Sequence, residues 1–152
     1  MKIALKHDVA LTAGQAFAAA TDFAEHERAA RRRGVQVTRT DRLPAPGPGA
    51  AWNIVFRLRG RERQMETTLT ALDPPRQAVF GGSSQHLTIA LVFAVVPLAR
   101  DRSRLLADLD LRPRTLRGRV MIQSARLARG RIERTLRARF EQFAEALARR
   151  AR

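Results

Sequence analysis

The sequence contains no cysteine. That excludes a disulfide scaffold, a thiol nucleophile and any zinc site built on thiolates. Histidine is scarce, and His7, His26 and His86 share no ligand-like spacing, so no structural metal and no cofactor is expected. No apolar run approaches the about 20 residues that span a bilayer. Tyrosine is absent, and only Lys2 and Lys6 are lysines among 29 basic residues. Acidic residues number 14, which leaves a formal net charge of +15. A bias of arginine over lysine suits a phosphate reader that uses the bidentate guanidinium. The Ala-rich, Lys-poor, Tyr-free composition equally suits a GC-rich genome, and that plainer reading is preferred.

What is present is enough for one domain over residues 1–152. A chain of this size hides roughly 68–70% of its unfolded surface. With 45% hydrophobic residues it is not compositionally disordered. The charge is uneven. Residues 112–152 hold 13 arginines and 3 acids, a net of +10; residues 1–111 hold 16 basic and 11 acidic residues, a net of +5.

Residues 2–9 alternate, with Ile3, Leu5, His7 and Val9 on one side, as in a half-buried strand. Thr12-Ala13-Gly14-Gln15 is a capping-box pattern that opens an Ala-rich helix. Asp22-Phe23-Ala24-Glu25 repeats it for a second helix, closed by Arg31, Arg32 and Arg33 and then Gly34. Lys2, Lys6 and the uncharged stretch 9–20 imitate a signal peptide, but Asp8 breaks its front and the two capping boxes account for the same residues better. A cytoplasmic protein is expected.

Val35–Thr40 reads as a strand, and Pro44-Ala45-Pro46-Gly47-Pro48-Gly49 as a loop. A strand then places Trp52, Ile54, Phe56 and Leu58 on one face, and the next places Met65, Thr67, Leu69 and Ala71 there. Asp73-Pro74-Pro75-Arg76 turns the chain into a strand with Ala78 and Phe80 that ends at residues 81–84. Residues 86–96 form an apolar strand ended by a turn at Pro97, and Leu105, Ala107, Leu109 and Leu111 point inward from the last strand. Short turns between strands predict an antiparallel meander. From Thr115 the period becomes helical. Met121, Ala125, Ala128, Ile132, Leu136, Phe140, Phe143 and Leu147 form one stripe of a long helix, with a kink plausible at Gly130. Arg139 falls inside the stripe and is expected to snorkel outward.

One strand, two short helices, a loop, six further strands and a long C-terminal helix is a distinctive order. It resembles the START-like (SRPBCC) superfamily, the Bet v 1-like helix-grip fold of the polyketide cyclase/dehydrase and lipid-transport group. Ala16-Phe17 and Asp22-Phe23 where the two helices meet, Gly49 to Trp52 at the opening of a long strand, and Ala71-Leu72-Asp73-Pro74-Pro75-Arg76 at a strand end all look like that group. The resemblance covers essentially the whole chain. It implies an α+β fold, a curved seven-stranded antiparallel sheet around the C-terminal helix, with an apolar cavity between them. It implies lipid, sterol, polyketide, quinone or hormone ligands, and no universal catalytic motif to carry over.

On that expectation the sheet contributes Trp52, Ile54, Phe56, Met65, Thr67, Leu69, Phe80, Ile89, Leu91, Phe93, Ala107 and Leu109 to the cavity. The helix contributes Val120, Gln123, Ser124 and Leu127, with Thr67, Gln123 and Ser124 as orienting polar groups. The same residues would serve equally as a solid core. No nucleophile–His–acid set can be assembled. His7 and His86 are weak candidates for acid–base work, and His7 reads more plainly as a core histidine. Ser83 and Ser84 beside His86 read as a polar turn, and Asp108 and Asp110 as solvated. Gly81-Gly82 lacks the lysine and helix of a phosphate loop.

Three functions stay open. The first is a non-catalytic carrier or sensor of a hydrophobic small molecule. The second is a cyclase/dehydratase-type enzyme. The third is binding to RNA, the ribosome or an anionic membrane through a basic helix face at Arg119, Arg126, Arg129 and Arg137. Oligomeric state is not legible.

Overall fold

The computed structural model describes residues 1–151. The chain runs β1 (Lys2–Val9), α1 (Ala13–Ala20), α2 (Phe23–Arg32), β2 (Gln36–Arg39), β3 (Ala51–Leu58), β4 (Arg61–Asp73), β5 (Gln77–Ser83), β6 (Leu87–Ala99), β7 (Arg102–Pro113), α3 (Leu116–Leu127) and α4 (Arg129–Arg150). The strands form one seven-stranded sheet in the order β1-β7-β6-β5-β4-β3-β2, with antiparallel neighbours throughout. β1 and β2 are therefore opposite edges, and α1–α2 carries the chain from one to the other.

Local chemistry sets the ends of these elements. Thr12 and Gln15 form the reciprocal capping box, at 3.1 and 3.0 Å. Asp22 accepts from the Glu25 N–H, and Gly34 takes the left-handed backbone after α2, at φ 84°. The Pro-rich loop is tied down by Asp41. Its carboxylate takes both Arg39 N–H groups at 2.6 and 2.7 Å and the backbone N–H groups of Leu43 and Ala51. The Arg39 guanidinium first, then the Ala51 N–H, hold this carboxyl well below the usual carboxylate range.

The main core gathers Leu11, Phe17, Trp52, Leu69, Val95, Leu105 and Leu147 between the sheet, α1 and α4. A second cluster of Ile3, Leu5 and Ala107 meets Ile132, Leu136 and Phe140 of α4. Ser103, the sole buried polar residue among the described residues, donates its hydroxyl to the Leu11 carbonyl at 3.1 Å.

Three sequence expectations are corrected. β4 bulges at Thr70, so Leu72 rather than Ala71 packs on the core. β6 runs through Pro97 to Ala99, and the proline sits at a second register shift, where a missing N–H is tolerated. The C-terminal helix is two helices that part at Ala128, whose N–H is shared between the Ser124 and Ala125 carbonyls. α3 lies on β7 and buries Gly118 and Ile122, while α4 lies on β1 and α1. The stripe from Met121 to Leu147 is thus broken: Met121 is exposed, and only the α4 portion faces the sheet. Arg139 is exposed, as expected.

Gly118 explains where α3 lies. A Cβ built there would collide with the His86 carbonyl oxygen, so helix and β5–β6 turn approach closer than any side chain permits. Gly118→Ala is expected to lower unfolding free energy by about 1–3 kcal/mol, the usual cost of forcing extra volume into a packed contact. Urea titration of the two proteins measures it, and an unchanged midpoint would show that α3 is not held by this contact.

Candidate functional site

Where the sheet curves away from α4, a cavity of about 400 Å³ remains. Its floor is the concave face of the sheet: Trp52 and Ile54, Thr67, Ala78 and Phe80, Leu91 and Phe93, Ala107 and Leu109, and Leu5. Its roof is Ala20 and Thr21 at the end of α1, Phe23 and His26 of α2, and Phe140 and Phe143 of α4. Small residues make the room. Ala78 and Ala107 stand on either side of Phe93 in one row across the sheet. Gly82 stands opposite Thr67 in another row, outside the cavity lining, where a Cβ would press on the Met65 sulfur at 3.3 Å.

Six of the eight aromatic residues of the chain line this space. Phe23 packs between Trp52 and Phe80, with ring centroids at 5.3 and 6.2 Å. Phe143 meets Phe140 at 6.2 Å and Phe93 at 6.4 Å. Trp52 is fixed from outside: its indole N–H donates to Glu27 at 2.7 Å, and Arg39 lies 5.4 Å from its ring centre.

Polar groups in the walls are three. The Thr21 hydroxyl donates to the Phe17 carbonyl at 2.8 Å. The Thr67 hydroxyl is buried and makes no hydrogen bond. An unpaired buried group of this kind costs about 1–3 kcal/mol. His26 sets its Nε2 between the Ala19 and Ala20 carbonyls, at 3.1 and 3.0 Å, and its ring 5.6 Å from Phe143. Burial first, then the positive charge of Arg150, lowers its pKa, against a raising effect of the two carbonyls and Asp22. The imidazole is therefore neutral near pH 7. With two carbonyls facing Nε2, that nitrogen carries the proton and Nδ1 keeps its lone pair.

Eight of the residues expected from the sequence line the cavity: Trp52, Ile54, Thr67, Phe80, Leu91, Phe93, Ala107 and Leu109. Leu69 is instead fully buried in the core. Phe56, Met65 and Ile89 share the concave face but lie further along it, in an open groove beside Met121. The expected helix residues are corrected. Val120, Gln123, Ser124 and Leu127 are exposed, because α3 turns its Gly118–Ile122 side to the sheet. Phe140 and Phe143, assigned to the core stripe, roof the cavity instead.

His7 and His86 do not line the cavity. His86 bonds through Nδ1 to the Thr115 hydroxyl at 2.9 Å, and that hydroxyl caps α3 by accepting from Gly118. Ser84 closes the adjoining turn on the Leu87 carbonyl. Asp110 pairs with Arg112 and the N-terminal amine. The histidine that does reach the cavity, His26, was missed. Its one signal was a position three residues after Phe23 on the same helix. Arg119 and Arg126 on α3 and Arg129 and Arg137 on α4 are exposed, on two helices rather than one face of a single helix. Among the described residues no group of three or more His, Asp or Glu could hold a metal ion, and no helix is long and apolar enough to cross a membrane.

No family model matches the chain, and no curated protein matches it in sequence. Solved structures do. An aromatase/cyclase, Zhui, from a Streptomyces species superposes with a TM-score of 0.75 at 14% identity, over 100% of this chain and 96% of that one. A START superfamily protein from Mycobacterium smegmatis gives 0.62 at 18% identity, over 93% and 98%. Norcoclaurine synthase from Thalictrum flavum, solved with dopamine and hydroxybenzaldehyde, gives 0.59 at 12%, over 73% and 68%. The chain has the helix-grip fold of START and Bet v 1-like proteins.

His26 gives the fold a pH dependence of definite sign. The unfolded chain, with the ordinary value of 6.5, takes up the proton before the native protein does. The stability tied to neutral His26 is complete above that value and is lost as pH falls from it toward the lowered native one. Urea midpoints taken between about pH 5 and pH 8 are expected to slope less for His26→Gln than for the parent. Parallel profiles would mean that the imidazole is not desolvated.

Proposed function

We propose that this protein binds a compact hydrophobic molecule, with ring character and one hydrogen-bonding group, between its sheet and α4. The carrying observation is the cavity itself: about 400 Å³, walled by six aromatic rings, with one buried hydroxyl left unpaired. Small-molecule sites span about 300–1,000 Å³ and pair apolar walls with a few orienting polar groups. Rings of Phe23, Trp52, Phe80, Phe93, Phe140 and Phe143 favour offset or edge contacts with another ring system. Of the ligand classes that the fold suggests, a quinone or polyketide-like aromatic fits these walls better than an extended acyl chain. The Thr67 hydroxyl would meet the ligand's polar group.

Binding without chemistry is the first reading. No carboxylate is among the cavity-lining residues, and the two other polar groups are tied to backbone. A cyclase-type reaction is the second reading, and His26 is the observation that favours it. Its neutral imidazole, with Nδ1 free to accept, is the one group in the walls able to take a proton from a ligand held there. The aromatase/cyclase among the structural neighbours has that kind of activity by name.

A fluorescent apolar probe displaced by a panel of naphthoquinones, aromatic polyketides and fatty acids tests the reading. Ring compounds are expected to displace it and fatty acids to do so poorly. Thr67→Val separates a site from a filled core. It is expected to stabilise the ligand-free protein by up to about 1–3 kcal/mol, because it removes the orphan hydroxyl. It should also weaken binding of ligands that carry a polar group by about tenfold, one hydrogen bond's worth. Loss of stability together with unchanged binding would defeat the assignment of Thr67. A panel with no binder at all would defeat the function.

A further inference from the structure

α3 carries a feature that the cavity does not use. Leu116, Val120 and Leu127 are 78%, 61% and 93% exposed. At about 100° per residue they fall within an arc of about 40° on the helix, opposite the buried Gly118 and Ile122. The ridge is bordered by Arg119 and Arg126 on one side and Arg117 on the other. Residues 111–132 hold seven arginines and no acidic residue. An apolar line that points away from the core, with guanidinium groups on both sides, is the pattern of a helix that lies in a lipid interface.

We propose that α3 docks this protein on an anionic membrane surface, with the Leu116–Val120–Leu127 ridge entering the lipid and the flanking arginines meeting phosphate headgroups. Charge complementarity selects this partner. A second copy of the chain would bring two acid-free, Arg-lined ridges face to face, and their like charges oppose it. A nucleic acid would satisfy the arginines but leave three aliphatic side chains in water, and α3 has no aromatic residue for a base to stack on. An anionic bilayer answers both features at once, and a surface anchor needs two such signals. The tip of the β3–β4 hairpin adds one more exposed leucine near arginines, with Glu62 opposite Arg57. Leu58 is 54% exposed among Arg57, Arg59 and Arg61, and it borders the same groove as Met121 of α3. The proposal does not depend on what the cavity holds.

Flotation of the full chain with vesicles of phosphatidylcholine, alone or mixed with phosphatidylglycerol, is the test. Binding is expected to the mixed vesicles only, and to weaken as salt rises. Leu116→Ser/Val120→Ser/Leu127→Ser keeps the charge, and is expected to weaken binding at least about tenfold at one salt concentration. Arg119→Gln/Arg126→Gln is expected to flatten the salt dependence. Circular dichroism checks that the variants fold, and Leu127→Ser alone, at the most exposed position, serves if the triple variant does not. Three results would overturn the proposal. One is no binding to mixed vesicles. Another is a ridge variant that binds them as the parent does. The last is a parent dimer, or binding to single-stranded RNA, that the ridge substitutions abolish while vesicle binding stays.

Discussion

The ladder between β1 and β7 is the interaction on which the rest depends. Eight consecutive pairs, from Lys2 with Asp110 to Val9 with Ser103, lay the first strand beside the last. The N-terminal amine extends the join by donating to the Leu111 carbonyl at 2.7 Å. Because β1 is thereby an edge, the chain must next reach β2 at the opposite edge, and α1–α2 is the bridge. That bridge and α4 then lie over the concave face, which gives the sheet a roof as well as a floor. Ser103 shows how tightly the corner is drawn: fully buried, it spends its hydroxyl on the Leu11 carbonyl where β1 leaves the sheet.

Size mismatch then creates the cavity. The floor is thinned by Ala78 and Ala107, while the roof offers flat rings in place of branched aliphatic chains. Rings meeting edge to face, as Phe23 does with Phe80, keep one another apart. Their positions are braced from behind, since Trp52 is held by Glu27 and Arg39, and Arg39 by Asp41. The walls are therefore stiff without being filled.

Much of this was legible in the sequence. Alternation along Trp52–Phe56, Met65–Leu69 and Leu105–Leu111 gave the inward face because a strand has only two sides, but Leu58, expected on that face, is exposed at the hairpin tip. The capping boxes at Thr12 and Asp22 gave the helix starts because orphan N–H groups need acceptors nearby. The helix roof was misread for a related reason. A periodic stripe says which residues share a side, and it does not say that two successive helices lie in one line. Gly130 marked a plausible kink two residues past the break at Ala128, but the direction in which α3 departs depends on long-range docking, Gly118 against His86, which no local pattern announces. The bulge at Thr70 shifted Ala71 outward for the same kind of reason, since register belongs to the strand pair. His26 escaped notice because its environment is assembled from three separate helices.

The unpaired hydroxyl of Thr67 has a consequence beyond recognition. A ligand that paired this hydroxyl would make the occupied protein more stable than the empty one, because whatever binds only the folded state stabilises it by mass action. Proteases sample the unfolded fraction, and a change of about 1–2 kcal/mol is enough to alter abundance several-fold. On the proposed function, the amount of this protein in a cell would track the supply of its ligand, and occupancy of the cavity would set how long the protein lasts.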